Sequence, residues 1–223
     1  MSETVRPIEI GTIVSTAIAD ITANLGRYVG VALAMGLIGG LADTYASRGG
    51  SIAGNIALFF VAVLATHQTL QLKLGDDLIK PRFGAAFRFS LLSNLGIGLG
   101  LILLIVPGMI LFARWSVGLP ALLREELGVS QAMHRSSSLT EGNRWRVLGL
   151  GLLIWVPFLL VMLLVSGLSA AFAGEGSLDS LAFNIFVNLT AGCMSVLSAV
   201  CWTEVYLSLS GEGTHRELTE IFA

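Results

Sequence analysis

Residues 91–150 constrain this chain more than any other stretch. Two apolar runs stand back to back across Pro107-Gly108, a polar segment carrying Arg124, Arg135, Arg144 and Arg146 follows, and a third apolar run begins at Val147. Runs of this kind approach the ~20 residues that cross the hydrocarbon core of a bilayer. The first two read either as one long helix kinked at the proline, its freed backbone groups satisfied by neighbours, or as a hairpin. Lysine and arginine decide between them, because these residues concentrate in cytoplasmic loops. With the N-terminus inside and the Pro107-Gly108 turn outside, Arg6, Arg27, Lys73, Lys80, Arg82, Arg88, Arg124, Arg135, Arg144, Arg146 and Arg216 are all cytoplasmic. Arg48 alone is then outside and Arg114 is embedded. A single crossing by residues 91–123 would put Lys80 and Arg135 on opposite sides and destroy that bias, so a hairpin is expected.

The chain is therefore expected to be an all-α, polytopic integral membrane protein with six transmembrane helices and both termini cytoplasmic. The spans fall at about 25–45, 52–74, 91–106, 109–123, 147–172 and 181–209, in one membrane domain covering 1–223. Composition agrees: 54% of residues are hydrophobic and 13% charged, against roughly a quarter charged in a soluble domain. No signal peptide precedes the first span, and the length leaves no room for a separate soluble catalytic domain. Residues 7–24 are too polar to span. Ile10, Ile13, Val14, Ala17, Ile18 and Ile21 recur at helical spacing with Glu9, Thr12, Thr16 and Asp20 opposite. This pattern predicts an amphipathic helix lying in the interface or, equally, one packed over the end of the bundle. Residues 75–88 read as a second polar piece with Phe83, Ala86 and Phe87 on one stripe.

A weak threefold repeat follows, each unit a polar cytoplasmic piece and then a hairpin. The starts of the hairpins read TANLGRYVGVAL, LSNLGIGLGLIL and TEGNRWRVLGLG and place Asn24, Asn94 and Asn143 just before the membrane. Ordinary helix capping would produce the same asparagines. Small residues four apart, at Ala32, Gly36 and Gly40, at Gly96 and Gly100, and at Gly167 and Ala171, predict close helix packing within the bundle, or homodimerisation.

Signals for chemistry are few. The GxG pairs lack the third glycine of a dinucleotide fingerprint, and His67, His134 and His215 stand at no metal-ligand spacing. Asn188-Leu189-Thr190 matches a glycosylation acceptor but lies inside a span. Cys193 and Cys201 share one helix, about 80° apart at ~100° per residue, and cannot bridge within it. No catalytic residue, metal or cofactor is expected.

Two groups of residues stand out as sites. The first is an intramembrane polar cluster of Arg114, Glu204, His67 and Asn94, because charge at that depth is costly and rarely kept without use. Arg114 is expected to pair with Glu204, the alternative being an arginine that snorkels to the headgroups. The second is Arg135, Arg144, Trp145 and Arg146, placed to hold an anionic lipid headgroup or simply to anchor the helix at the interface.

The run from Ile105 to Leu150 adds a resemblance. It carries Pro107, Gly108, Arg114, Trp115, Pro120, Glu125 or Glu126, Gly128, Ala132, Arg135, Ser136, Leu139, Thr140, Gly142, Asn143 and Trp145. It resembles the membrane domain fused to some bacterial glycerophosphoryl diester phosphodiesterases, and its stand-alone six-helix relatives. The resemblance implies a multi-pass protein of the bacterial cytoplasmic (inner) membrane and not an enzyme, since the diesterase chemistry belongs to a soluble barrel. The expected function is organisation of membrane lipids or of a protein partner or homo-oligomer, with no nucleic acid involved. The alternative is a small transporter or channel using the polar residues of the inner half.

Overall fold

The structure, a computed structural model, describes residues 7–45, 50–75, 79–173 and 180–212. Arg6, Arg48, His215, Arg216 and most of the 173–180 loop lie outside the described residues. Among those described the chain is helical with no strand: α1 Ile10–Ala23, α2 Leu25–Tyr45, α3 Gly50–Leu74, α4 Phe83–Leu103, α5 Ile105–Trp115, α6 Gly118–Arg124, α7 Val129–Leu139, α8 Arg144–Ala173 and α9 Leu181–Ser210. Six segments are long and apolar enough to span a membrane: α2, α3 from Gly54, α4, α5 with α6, α8 to Ala171, and α9. The expectation of six spans behind a shorter N-terminal helix holds.

Two boundaries differ from the sequence reading. Residues 83–88 are not a separate amphipathic piece but the first turns of α4, which runs unbroken from Phe83 to Leu103. Of the expected stripe of Phe83, Ala86 and Phe87, Ala86 is fully buried and Phe83 partly so, whereas Phe87 is half exposed and lies off the inward face. The proposed repeat therefore has a separate leading helix in only two of its three units, α1 and α7. Asn94, expected at a helix start, stands well inside α4.

The hairpin is real, but its turn is Leu104, the one extended residue between the two helices (φ −158°, ψ 128°). Pro107 is the third residue of α5, where a backbone N–H would have no intrahelical acceptor, so the proline ends nothing. Gly108 marks the closest approach of the two arms. A Cβ there would come within 2.6 Å of the Leu101 nitrogen, and one on Gly100 within 2.9 Å of the Gly108 Cα.

Helices in lipid gain little from water exclusion, so backbone proximity and buried hydrogen bonds hold them. The central unit is α2, α3 and α9. Along the α2–α9 seam the small residues of α2 meet α9 backbone: Ala32 against Gly192, Gly36 against Leu189, Gly40 against Ile185. Those small-residue spacings are thus spent inside the bundle, whereas Gly167 in α8 has open space around it.

One end of the bundle is capped by α1 and α7. The apolar stripe of α1 packs inward through Ile13 and Ala17 while Ile18 remains half exposed, so this helix covers the bundle as well as lying across its end. Ile8 ties its start to α8, donating its N–H to Asn143 Oδ1 at 3.2 Å and accepting from Arg146 at 3.0 Å. Helix α7 is held against α5 and α6, with Ala132 and Ser136 fully buried.

Candidate functional site

The capped end contains a strongly polar locus built where α1 crosses α3 and α9. Lys73, next to the last residue of α3, places its Nζ 2.7 Å from Asp20 Oδ2 of α1 and 3.3 Å from Glu204 Oε1 of α9. Glu204 is buried, about 9 Å from the Ser210 end of its helix at ~1.5 Å per residue. Beside the triad, Tyr28 of α2 and Thr69 of α3 hydrogen-bond at 2.8 Å. Thr69 donates its own proton to the Ala65 carbonyl, also at 2.8 Å. A cavity of about 190 Å³ lies here, lined by Asp20, Asn24, Tyr28, Thr69, Leu72 and Lys73.

The expected cluster of Arg114, Glu204, His67 and Asn94 does not assemble. Arg114 is not paired with Glu204: its Nε donates to Ser137 Oγ at 2.9 Å, and its carbonyl accepts from Ser136 Oγ at 2.7 Å. The reason is α7, whose buried serines fill the space beside α5 that the sequence reading left to α9. The arginine therefore stitches α7 to the fourth span next to the break at Ser116-Val117. His67 lies 2.7 Å through Nε2 from the Ile79 carbonyl. A carbonyl only accepts, so the histidine carries its proton on Nε2 and clasps the connection between α3 and α4. Asn94 stands exposed on α4.

The basic group is also divided. Arg135 binds Glu125 through Nε at 2.9 and 3.1 Å, and Tyr206 of α9 donates to the same carboxylate at 3.0 Å. Arg146 is committed to the Ile8 carbonyl, and Arg124 pairs with Glu212 at 2.9 Å. The start of α8 faces outward, with Trp145 83% exposed beside an exposed Arg146 and a half-buried Arg144. Within the four-residue group, then, Trp145 with Arg144 and the exposed Arg146 is what a headgroup could meet.

No family model, no curated protein and no solved structure matches this chain. The site stands on its geometry.

A second polar patch lies toward the other end of the α2–α3–α9 unit, at the asparagine of the Asn188-Leu189-Thr190 match. Asn188 Nδ2 donates to Asp43 Oδ2 at 2.8 Å and to the Asn184 carbonyl at 2.9 Å, while Asn184 donates to Thr44 at 3.2 Å. Gly39 and Gly54 make the room, since a Cβ on Gly39 would sit 2.5 Å from Asn188 Oδ1 and one on Gly54 3.2 Å from Asp43. The signal was present as two asparagines four apart in an apolar segment, which inside a bundle read as interhelical hydrogen-bonding groups.

The residues of this candidate site that the sequence does not single out are Asp20, Lys73, Tyr28 and Thr69. Lys73 reads there only as one of the cytoplasmic positive charges. Asp20 was placed opposite the apolar stripe of α1, yet it follows Ile13 by seven residues and so lies ~20° from it around the helix.

Proposed function

We propose that the chain is a non-enzymatic integral membrane protein of the bacterial cytoplasmic membrane, with both termini cytoplasmic, that organises lipids or partner proteins there. The observation that carries this reading is the closed seam between α2 and α9. From Ala32 through Gly36 to Gly40 the two backbones are in contact, so the Lys73 locus at one end and the Asp43–Asn188 patch at the other are separated by packed apolar helix. A transporter needs polar backbone and broken helices at the midplane. Here the break at Leu104 lies at an exposed apolar hairpin tip, Ile102 to Val106 each being at least 65% exposed, and the break at Ser116-Val117 inside the fourth span is packed shut, with Val117 fully buried and the Phe89 ring against Gly118. The resemblance of residues 105–150 to the membrane domain of bacterial diesterases supports the same reading.

Lipid contact is assigned to the start of α8, where Trp145 supplies an aromatic anchor and Arg144 a cation at the interface. Native mass spectrometry of the protein extracted from its membrane tests this. An anionic lipid should be retained on the wild type and substantially lost from the double variant Arg144→Gln, Trp145→Ala. A lipid-free wild type that moves solute across proteoliposomes would replace this reading with the transporter, for which the cavity at Lys73 is the favourable observation.

A further inference from the structure

The cavity at Lys73 brings together two carboxylates and one ammonium. Asp20 and Glu204 both pair with the same lysine nitrogen, so with all three groups ionised one negative charge is left over beside a largely buried Glu204. An uncompensated charge in such surroundings is costly, and it invites a cation into the adjacent space.

Proton bookkeeping around the cavity says what kind of cation. Thr69 spends its hydroxyl proton on the Ala65 carbonyl, so in the Tyr28–Thr69 bond the tyrosine must be the donor. Each hydroxyl has a single proton, and both are thereby used, which leaves Tyr28 and Thr69 with lone pairs alone to offer. A carboxylate is likewise acceptor-only, and Asn24, which spends one amide N–H on the Asp20 carbonyl at 3.2 Å, keeps its oxygen as an acceptor and one N–H as a donor. The lining is therefore rich in acceptors; its own charged groups are Asp20 and Lys73, and the extra negative charge comes from Glu204, which stands behind the lining in contact with Lys73. Its volume of about 190 Å³ corresponds to roughly six waters at ~30 Å³ each, more than a bare monovalent ion fills.

We propose that this cavity, lined by Asp20, Asn24, Tyr28, Thr69 and Lys73, binds a primary ammonium group carried on a small organic fragment. Three N–H donors on one positive centre match acceptors on α1, α2 and α3, and the excess charge of Asp20 and Glu204 supplies the counter-ion. A quaternary ammonium has no N–H to give and does not fit that pattern. The same chemistry is available from a free small amine or from an ethanolamine lipid headgroup. The site is independent of the lipid contact assigned to Trp145 and Arg144, since it shares no residue with it.

The test is thermal unfolding of the full chain, in lipid-free detergent with ethanolamine or choline chloride at matched ionic strength, and in nanodiscs of phosphatidylethanolamine or phosphatidylcholine. A saturable rise of several degrees with ethanolamine and none with choline is expected if the source is a solute. A rise in phosphatidylethanolamine nanodiscs with no response to free ethanolamine assigns the group to lipid. Either response should disappear in Asp20→Asn and shift to several-fold higher ligand concentration in Tyr28→Phe, a variant that keeps the ring and serves if Asp20→Asn does not fold. Equal responses to ethanolamine and choline, no response in any arm, or a response unchanged in Tyr28→Phe would overturn the proposal.

Discussion

Lys73 is the residue whose loss the bundle should feel most. Replacing it with methionine leaves Asp20 and Glu204 facing each other with no counter-charge, whereas Glu204→Gln removes the surplus negative charge and leaves the Lys73–Asp20 pair at 2.7 Å intact. Breaking a fully buried ion pair costs ~3–5 kcal/mol. The Lys73 side chain is 29% exposed, so roughly 2 kcal/mol is the expected loss for Lys73→Met, with less than about 1 kcal/mol for Glu204→Gln, read from unfolding in detergent. Arg114→Ala is expected to add strictly to Glu204→Ala, because the two residues have different partners; a coupling above ~0.5 kcal/mol would restore the pair inferred from sequence. What hid the true partner was a matter of angle. Counting polarity along α1 puts the apolar centre near Val14 and Ile21, but the face that meets the bundle is centred nearer Ile13 and Ala17, which carries Asp20 to its edge. Likewise Ser136 and Ser137 looked like part of a soluble loop, and nothing in their spacing says that α7 would turn them onto Arg114.

At the scale of helices, the small-residue spacings can be sorted by what a methyl group would meet. On Gly40 it would lie 2.7 Å from the Ile185 Cα and 2.9 Å from the Ile185 nitrogen, and a backbone cannot swing aside as a side-chain tip can. Gly40→Ala is therefore expected to cost ~1–3 kcal/mol, the usual range for overpacking. Gly167→Ala meets nothing within 4 Å and replaces the poorer helix former, so it should leave the melting temperature unchanged or slightly raised. A large loss at Gly167 would instead show that a second chain packs on that face of α8. The helices themselves were legible because an apolar run of spanning length has few alternatives in a bilayer. Their ends were less so. The hairpin was placed at Pro107-Gly108 on turn chemistry, whereas a proline in the first turn of α5 and a glycine at the close approach to Leu101 serve the arms while Leu104 makes the turn. Residues 75–88 read in sequence as one polar piece, but Arg88 stands on the exposed face of α4, and one charged side chain there does not end a helix.

At the scale of the molecule, polar and apolar surfaces divide by end and by flank. Helices α1 and α7 and the ion pairs of Lys73, Arg124 and Arg135 gather at one end, while α8 beyond Ile154 has no buried residue up to Ala171 and shows leucines on every side. A helix apolar all round and unpacked suits hydrocarbon as its neighbour. The six spans put the start of α9 at the end opposite α7, and the arginine and lysine distribution then predicts which end faces the cytoplasm, because the capped end holds nearly all of them. Single cysteines in a background with Cys193 and Cys201 replaced can read this directly. Ser180, exposed at the start of α9, and Ser138, exposed on α7, are suitable reporters: the first caps its helix through a 3.3 Å bond from the Phe183 N–H, which a thiol weakens without moving a span. A membrane-impermeant maleimide applied to intact cells should label Ser180→Cys and not Ser138→Cys, with the order reversed in inside-out vesicles. Labelling of both from outside would mean that α7 is reached across the bilayer and that the fifth span does not cross. Labelling of Ser138→Cys alone would keep six spans but invert them, placing the Lys73 cavity and the α8 headgroup contact on the outer face.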